Sequence, residues 1–94
     1  MKLRITTPEG VYFEEEIEGF HLETHKGERT ILNDHINYLC FFEYTPLLIL
    51  DEKGGDTIYI YSGYAQIIDN QAVIICQRAN NNDFINKIFE RGGS

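Results

Sequence analysis

The sequence predicts an all-β domain, a sandwich or barrel of short strands, with helical character confined to the C-terminal end. Two observations carry this. Apolar residues recur with a period of two along most of the chain, the spacing that puts alternate side chains on one face of a strand. Turn-forming residues break that pattern about every 8–12 positions, as in an antiparallel sandwich or barrel. Only the tail departs from it, with Phe84, Ile85, Ile88 and Phe89 at helical spacing.

The strands follow in order. Leu3 and Ile5 alternate with Lys2, Arg4 and Thr6, and Pro8-Glu9-Gly10 turns the chain. Val11 and Phe13 form a second strand that runs into Glu14-Glu15-Glu16. Ile17, Phe20 and Leu22 break strict alternation around Gly19, which reads as a bulge because glycine reaches the required backbone conformation cheaply. Lys26-Gly27-Glu28 reads as a turn, Thr30 to Leu32 as a short apolar piece, and Asn33-Asp34 as its end. Ile36 to Phe42 is rich in β-branched and aromatic residues, and Leu47 to Leu50 is apolar on both faces. Lys53-Gly54-Gly55-Asp56 is a hairpin signal before Ile58-Tyr59-Ile60-Tyr61. Ser62-Gly63 bends the chain, and Asp69-Asn70-Gln71 joins Tyr64–Ile68 to Ala72–Cys76 in a second hairpin.

In the tail, Asn80 to Asp83 offer N-caps and Gly92 a stop. A helix of under three turns is marginal alone, so its apolar stripe needs a surface to dock on. The expected organisation is a β domain over residues 1–80, a short helical tail over 81–91, and a flexible end at 92–94 of the kind a cloning tag leaves.

At 94 residues the chain holds one domain. A hydrophobic fraction of 43% excludes a disordered chain. The net charge of −7 repels phosphate backbones, so nucleic acid is not an expected partner. The longest apolar run, Pro46 to Leu50, is far short of the roughly 20 residues that span a bilayer. No export signal opens the chain, which leads to the expectation of a cytoplasmic protein that does not insert in a membrane. Cys40 and Cys76 lie in no ligand cluster and read as small core residues.

No arrangement of residues suggests catalysis. His21 and His25 are four apart, a helical spacing in a segment read as strand and turn, and His21 alternates with Phe20 and Leu22, so it should face away from the core. Ser62 lacks a nucleophile elbow, and Cys40 sits in an apolar strand. The carboxylates of Glu14 to Glu18 point to alternating faces and do not converge on a cation. Gly54-Gly55 lies between strands, not ahead of a helix, so it is no phosphate cradle. The expectation is therefore no catalytic residue, no cofactor and no metal. Tyr59 and Tyr61 share one face of a strand and Ile58 and Ile60 the other. One face fills the core, and the other leaves an aromatic surface of the kind enriched at protein interfaces.

The order of features resembles the N-terminal domain of the epsilon subunit of F-type ATP synthases. Met1 to Glu14, with Pro8-Glu9-Gly10 at its turn, is similar to that family's first two strands. Lys26-Gly27-Glu28-Arg29-Thr30-Ile31-Leu32-Asn33-Asp34-His35 resembles its EGExGILPxH loop. Ile58 to Tyr64 resembles its strand ending in Ser-Gly-Gly-Phe, and Asp69 to Ile75 its last hairpin. The likeness runs from Met1 to about Ala79. The chain departs from the pattern at Thr30, where the loop has a second glycine, and at Asn33 and Asn37, where it has prolines. Tyr64 follows Gly63 directly, so one glycine of that motif is missing, and Glu43-Tyr44-Thr45 replaces a Pro-Gly turn.

The resemblance implies a two-layer β-sandwich of about ten short strands, in mostly antiparallel sheets, with one short C-terminal helix and no C-terminal helical hairpin. It implies a non-catalytic rotor subunit of the central stalk that binds the gamma subunit and couples ATP synthesis or hydrolysis to rotation. His35, Leu39 and Cys40 would meet gamma, and Lys26, Gly27, Glu28 and Arg29 would face the c-ring, with the alpha/beta hexamer an indirect partner. The protein would sit peripherally at the inner face of the cell membrane through the complex. Lacking the hairpin, it should neither inhibit hydrolysis nor bind ATP. Two other readings are the same role in a divergent F-type-like ATPase of a small bacterium, driving motility or another task without proton coupling, and an unrelated β-sandwich adaptor. A sugar- or metal-binding enzyme of cupin type fits the histidine spacing poorly.

Overall fold

The computed structural model describes residues 1–24, 27–32, 37–51 and 55–81. Among these residues seven strands form: β1 (Lys2–Thr7), β2 (Gly10–Glu16), β3 (Gly19–Thr24), β4 (Gly27–Leu32), β5 (Tyr38–Leu50), β6 (Thr57–Ile68) and β7 (Gln71–Asn80). They hydrogen-bond in the order β2-β1-β7-β6-β5-β3-β4, all pairs antiparallel except β1 with β7.

Seven strands make about ten segments because the three central ones each serve two layers. In β5, Phe42 faces inward, then Glu43 and Tyr44 face out, then Thr45, Leu47 and Ile49 face inward. The inward positions therefore switch from even to odd numbers. The same switch occurs in β6 between Ile60 and Ala65 and in β7 after Cys76. The ladder passes from the pair Phe42↔Gly63 to Tyr44↔Tyr61, and from Gly63↔Cys76 to Tyr61↔Arg78, with no change of register. Glu43, Ser62 and Gln77 thus form one exposed row along which the sheet folds over. On one side lie β2, β1 and the halves of β7, β6 and β5 around Ile74, Ile67 and Phe42; on the other lie β3, β4 and the remaining halves. Side chains from both sides build one core, among them Leu3, Ile5, Phe20, Leu22, Leu47, Ile58, Ile60, Ile67 and Ile74, all buried.

The bend has a local cause at Ser62-Gly63. Ser62 adopts φ 53°, a left-handed conformation that costs an L-residue about 1–2 kcal/mol. A Cβ on Gly63 would run into the Ile75 carbonyl oxygen and lie 2.6 Å from the Cα of Cys76, so only glycine lets β7 approach. The β6–β7 hairpin turns through Asp69 (φ 51°) and Asn70 (φ 64°), a two-residue loop with both angles positive, the turn whose twist matches its strands.

Gly19 is not a bulge. Its pairs with Leu32 and Leu50 are in register, and a Cβ there would meet the Ile31 carbonyl oxygen and come within 3.1 Å of the Leu32 Cα. Its role is close backbone approach. The irregularity lies instead in β2, where Ile5 pairs with Phe13 but Thr6 pairs with Val11, leaving Tyr12 as the extra residue. Pro46 sits within a paired strand, where it offers no N–H. Buried Thr45 compensates: its Oγ1 accepts from the Glu23 amide at 2.9 Å and donates to the Pro46 carbonyl at 3.0 Å.

Edge strand β2 carries exposed Glu14, Glu15 and Glu16, charges of the sort that discourage strand addition. Glu14 pairs with Arg4 at 2.5 Å and with Lys2 at 3.9 Å. The hydrogen bond from Arg4, then the charge of Lys2, hold its carboxyl below the usual value. The helix expected over Asp83 to Arg91 lies outside the described residues.

Candidate interaction surface

Both outer faces of the sandwich carry apolar side chains, and the larger group lies on the layer containing β1. Cross-strand register aligns Leu39, Gln66, Val73 and Arg4 in one row and Phe41, Tyr64, Ile75 and Thr6 in the next. Ile68 extends the patch toward the β6–β7 turn. Phe41 is 69% exposed, Leu39 54%, Ile68 50% and Ile75 42%. Phe41 and Tyr64 pack as a tilted pair with centroids 5.9 Å apart, a contact that restrains both rings while Phe41 stays exposed. Scattered apolar surface residues are ordinary, whereas a contiguous apolar group across three strands is the kind of surface enriched at interaction sites. Its far side is charged, with Lys2, Arg4 and Glu14 next in line.

The second outer face is smaller and more polar. Tyr44 and Tyr61 stack at 4.9 Å with 37° between rings. Tyr59, Pro46 and Leu48 continue the surface into a shallow depression of about 480 Å³ that His21 and Glu23 also line. The expectation that Ile58 and Ile60 fill the core while Tyr59 and Tyr61 look outward matches this arrangement.

The residues named from the sequence fall as follows. His35 and Lys26 lie outside the described residues. Gly27 opens β4 at φ 112°, and Glu28 and Arg29 follow it, exposed, on the edge of the sheet. Leu39 belongs to the exposed patch. Cys40, one residue on, takes the opposite face and packs against the core. Burial pushes its thiol up, against the effect of a hydrogen bond with Tyr38. Arg29 in turn reaches Tyr38, whose phenol burial also pushes up. The first half of β4 and the start of β5 are therefore neighbours. Phe41, Tyr64, Ile68, Val73 and Ile75 were missed. Their signal was present as the outward parity of three strands, which becomes a surface only once register aligns them.

Cys76 is buried, its Sγ donating to the Thr6 carbonyl at 3.8 Å, and burial pushes this thiol up as well. Both cysteines are free. Since the thiolate is the reactive form, both should react several-fold more slowly with a disulfide reagent in the native protein than in denaturant. Equal rates in the two states would contradict the burial. A raised thiol pKa means the folded state holds more protons than the unfolded state above about pH 8.5, so stability should fall as pH rises past that point.

Fold and surface together define a class: a small β-sandwich whose outstanding feature is an apolar outer face suited to another protein. The family model described as the β-sandwich domain of the ATP synthase delta/epsilon chain matches residues 1–82, and the chain belongs to that family. It is 33% identical over 79 residues to an ATP synthase epsilon chain of Clostridium novyi, a match covering 83% of this chain and 60% of that one. It is 30% identical over 82 residues to that of Hydrogenobaculum, covering 84% and 57%. The chain thus spans about three-fifths of the length of these relatives. Among solved structures, a chain of the Tetrahymena thermophila mitochondrial ATP synthase central stalk and c-ring is similar with a TM-score of 0.73 and 17% identity, covering 86% of this chain and 66% of that chain. One from the Euglena gracilis mitochondrial enzyme is similar with a TM-score of 0.79 and 20% identity, covering 95% and 59%. These structural likenesses establish the sandwich fold. No helix among the described residues is long and apolar enough to cross a membrane.

Proposed function

We propose that this protein is a non-catalytic subunit of a rotary ATPase, bound in the central stalk to a gamma-type subunit through the outer face around Leu39 and Phe41. The observation that carries the proposal is the outward row Phe41, Tyr64 and Ile75, exposed at Phe41 and Ile75 and half-buried at Tyr64, flanked by exposed Leu39 and Ile68 and half-buried Val73, on a domain of this family. The work asked of such a subunit is mechanical. A face built on three paired strands cannot shear easily, so area buried against a rotating shaft transmits torque without any reactive group. Apolar and aromatic residues at the centre supply the grip, and the charged side at Lys2, Arg4 and Glu14 forms a polar rim. Gly27, Glu28 and Arg29 lie at the β3–β4 end and are the residues proposed to meet the membrane ring.

The test is affinity purification of the protein from its native cells, with the co-purifying chains identified. Recovery of gamma-, alpha- and beta-type ATPase chains is the expected result. A purified ATPase assembly that contains no copy of this polypeptide would refute the proposal.

A further inference from the structure

We propose that His21, Glu23 and Glu28 form a divalent transition-metal site of the zinc class on the second outer face of the sandwich. The site shares Glu28 with the end proposed to meet the membrane ring but does not rest on that assignment. His21 and Glu23 stand two apart on β3 and so project from one face, and register sets Glu28 of β4 directly opposite Glu23. One ligand atom from each of the three lies within 4.8 Å of the others. The imidazole is already oriented: its Nδ1 is 2.8 Å from the Thr30 hydroxyl, which leaves Nε2 facing the carboxylates, 3.9 Å from Glu28 Oε2. An outer hydrogen bond on one ring nitrogen is how metal-binding histidines are commonly held.

Electrostatics points the same way. Two carboxylates directly opposite on adjacent strands repel. Among the described residues no lysine or arginine pairs with either of them, whereas Glu14 on the other face has two cations. A bound dication would remove that repulsion. One imidazole nitrogen and two carboxylate oxygens suit zinc, with water in the fourth position, better than magnesium or calcium, which prefer all-oxygen shells. Tetrahedral bonds of about 2.1 Å would draw the ligand atoms to roughly 3.4 Å apart. The 71% exposed side chain of Glu28 is free to make that move. The metal would clamp edge strand β4 to β3.

Calorimetric titration of the EDTA-treated, full-length protein with zinc chloride tests this. One saturable equivalent is expected, with no comparable response to magnesium chloride. His21→Ala should abolish the binding and Glu28→Gln weaken it at least about tenfold. Absence of saturable binding, or binding that survives both substitutions because other histidines or thiols provide it, would overturn the site. Glu28 is exposed, so if His21→Ala does not fold, Glu28→Gln alone decides.

Discussion

Leu39→Asp and Phe41→Asp should each abolish co-purification with the gamma-type chain while leaving the domain folded. Both side chains point away from the core, at 54% and 69% exposure, so neither substitution opens a cavity. An aspartate on a strand surface costs up to about 1 kcal/mol in β propensity, or a fall of about 4–8 °C in melting temperature for a domain of this size. At an interface the same charge would be desolvated without a partner and would displace an apolar anchor. Central anchors of this kind are typically worth about 2–4 kcal/mol, a loss of about 30- to 1000-fold in affinity. The discriminating measurement is retention of the partner chain beside a thermal melt of the isolated protein. Undiminished retention by both variants would place the interface elsewhere, on the tyrosine face or the β3–β4 end.

The largest stability effect belongs to Gly63→Ala. The added methyl would sit 2.6 Å from the Cα of Cys76 and 2.8 Å from the carbonyl carbon of Ile75. These are backbone atoms of the neighbouring strand, so no rotamer change relieves the clash. β6 and β7 would have to part at the row where the sheet folds over, breaking ladder hydrogen bonds on both sides. Overpacking against backbone is expected to cost about 3 kcal/mol, lowering the melting temperature by about 12–24 °C. A melt within a few degrees of the parent would mean that β7 does not approach Gly63 as described.

Gly63 was legible as a bend because Ser-Gly interrupts an otherwise unbroken run of apolar alternation. That the bend requires glycine was not legible, since the obstructing atoms belong to residues 75 and 76, more than ten positions away. Leu39 is legible through family resemblance, whereas its neighbours in the patch are not. Phe41 reads in isolation as one more aromatic in a buried strand. Its exposure follows from the parity switch at Glu43, which sends odd-numbered residues outward before the fold-over row and inward after it. Cys40 shares with Leu39 the strand that the family resemblance turns toward gamma, yet adjacent strand residues occupy opposite faces, and Cys40 packs on the core. His21 is legible as outward-facing, but its spacing to His25 is a helical one in a segment that reads as strand and turn. The informative spacing was His21 to Glu23, two residues along one strand, and it becomes a constellation only when β4 brings Glu28 alongside.

By itself the sequence determined the strand content, the hairpin at Asp69-Asn70, the acidic edge at Glu14 to Glu16 and the family, because all of these are recorded in local alternation, turn chemistry and motif order. The tertiary structure alone decided which side of each strand became surface, how β5, β6 and β7 divide between two layers, and which distant side chains meet. The reason is that strand pairing is long-range: a register shift of one residue exchanges core for surface, and nothing within a single strand fixes the register of its neighbours.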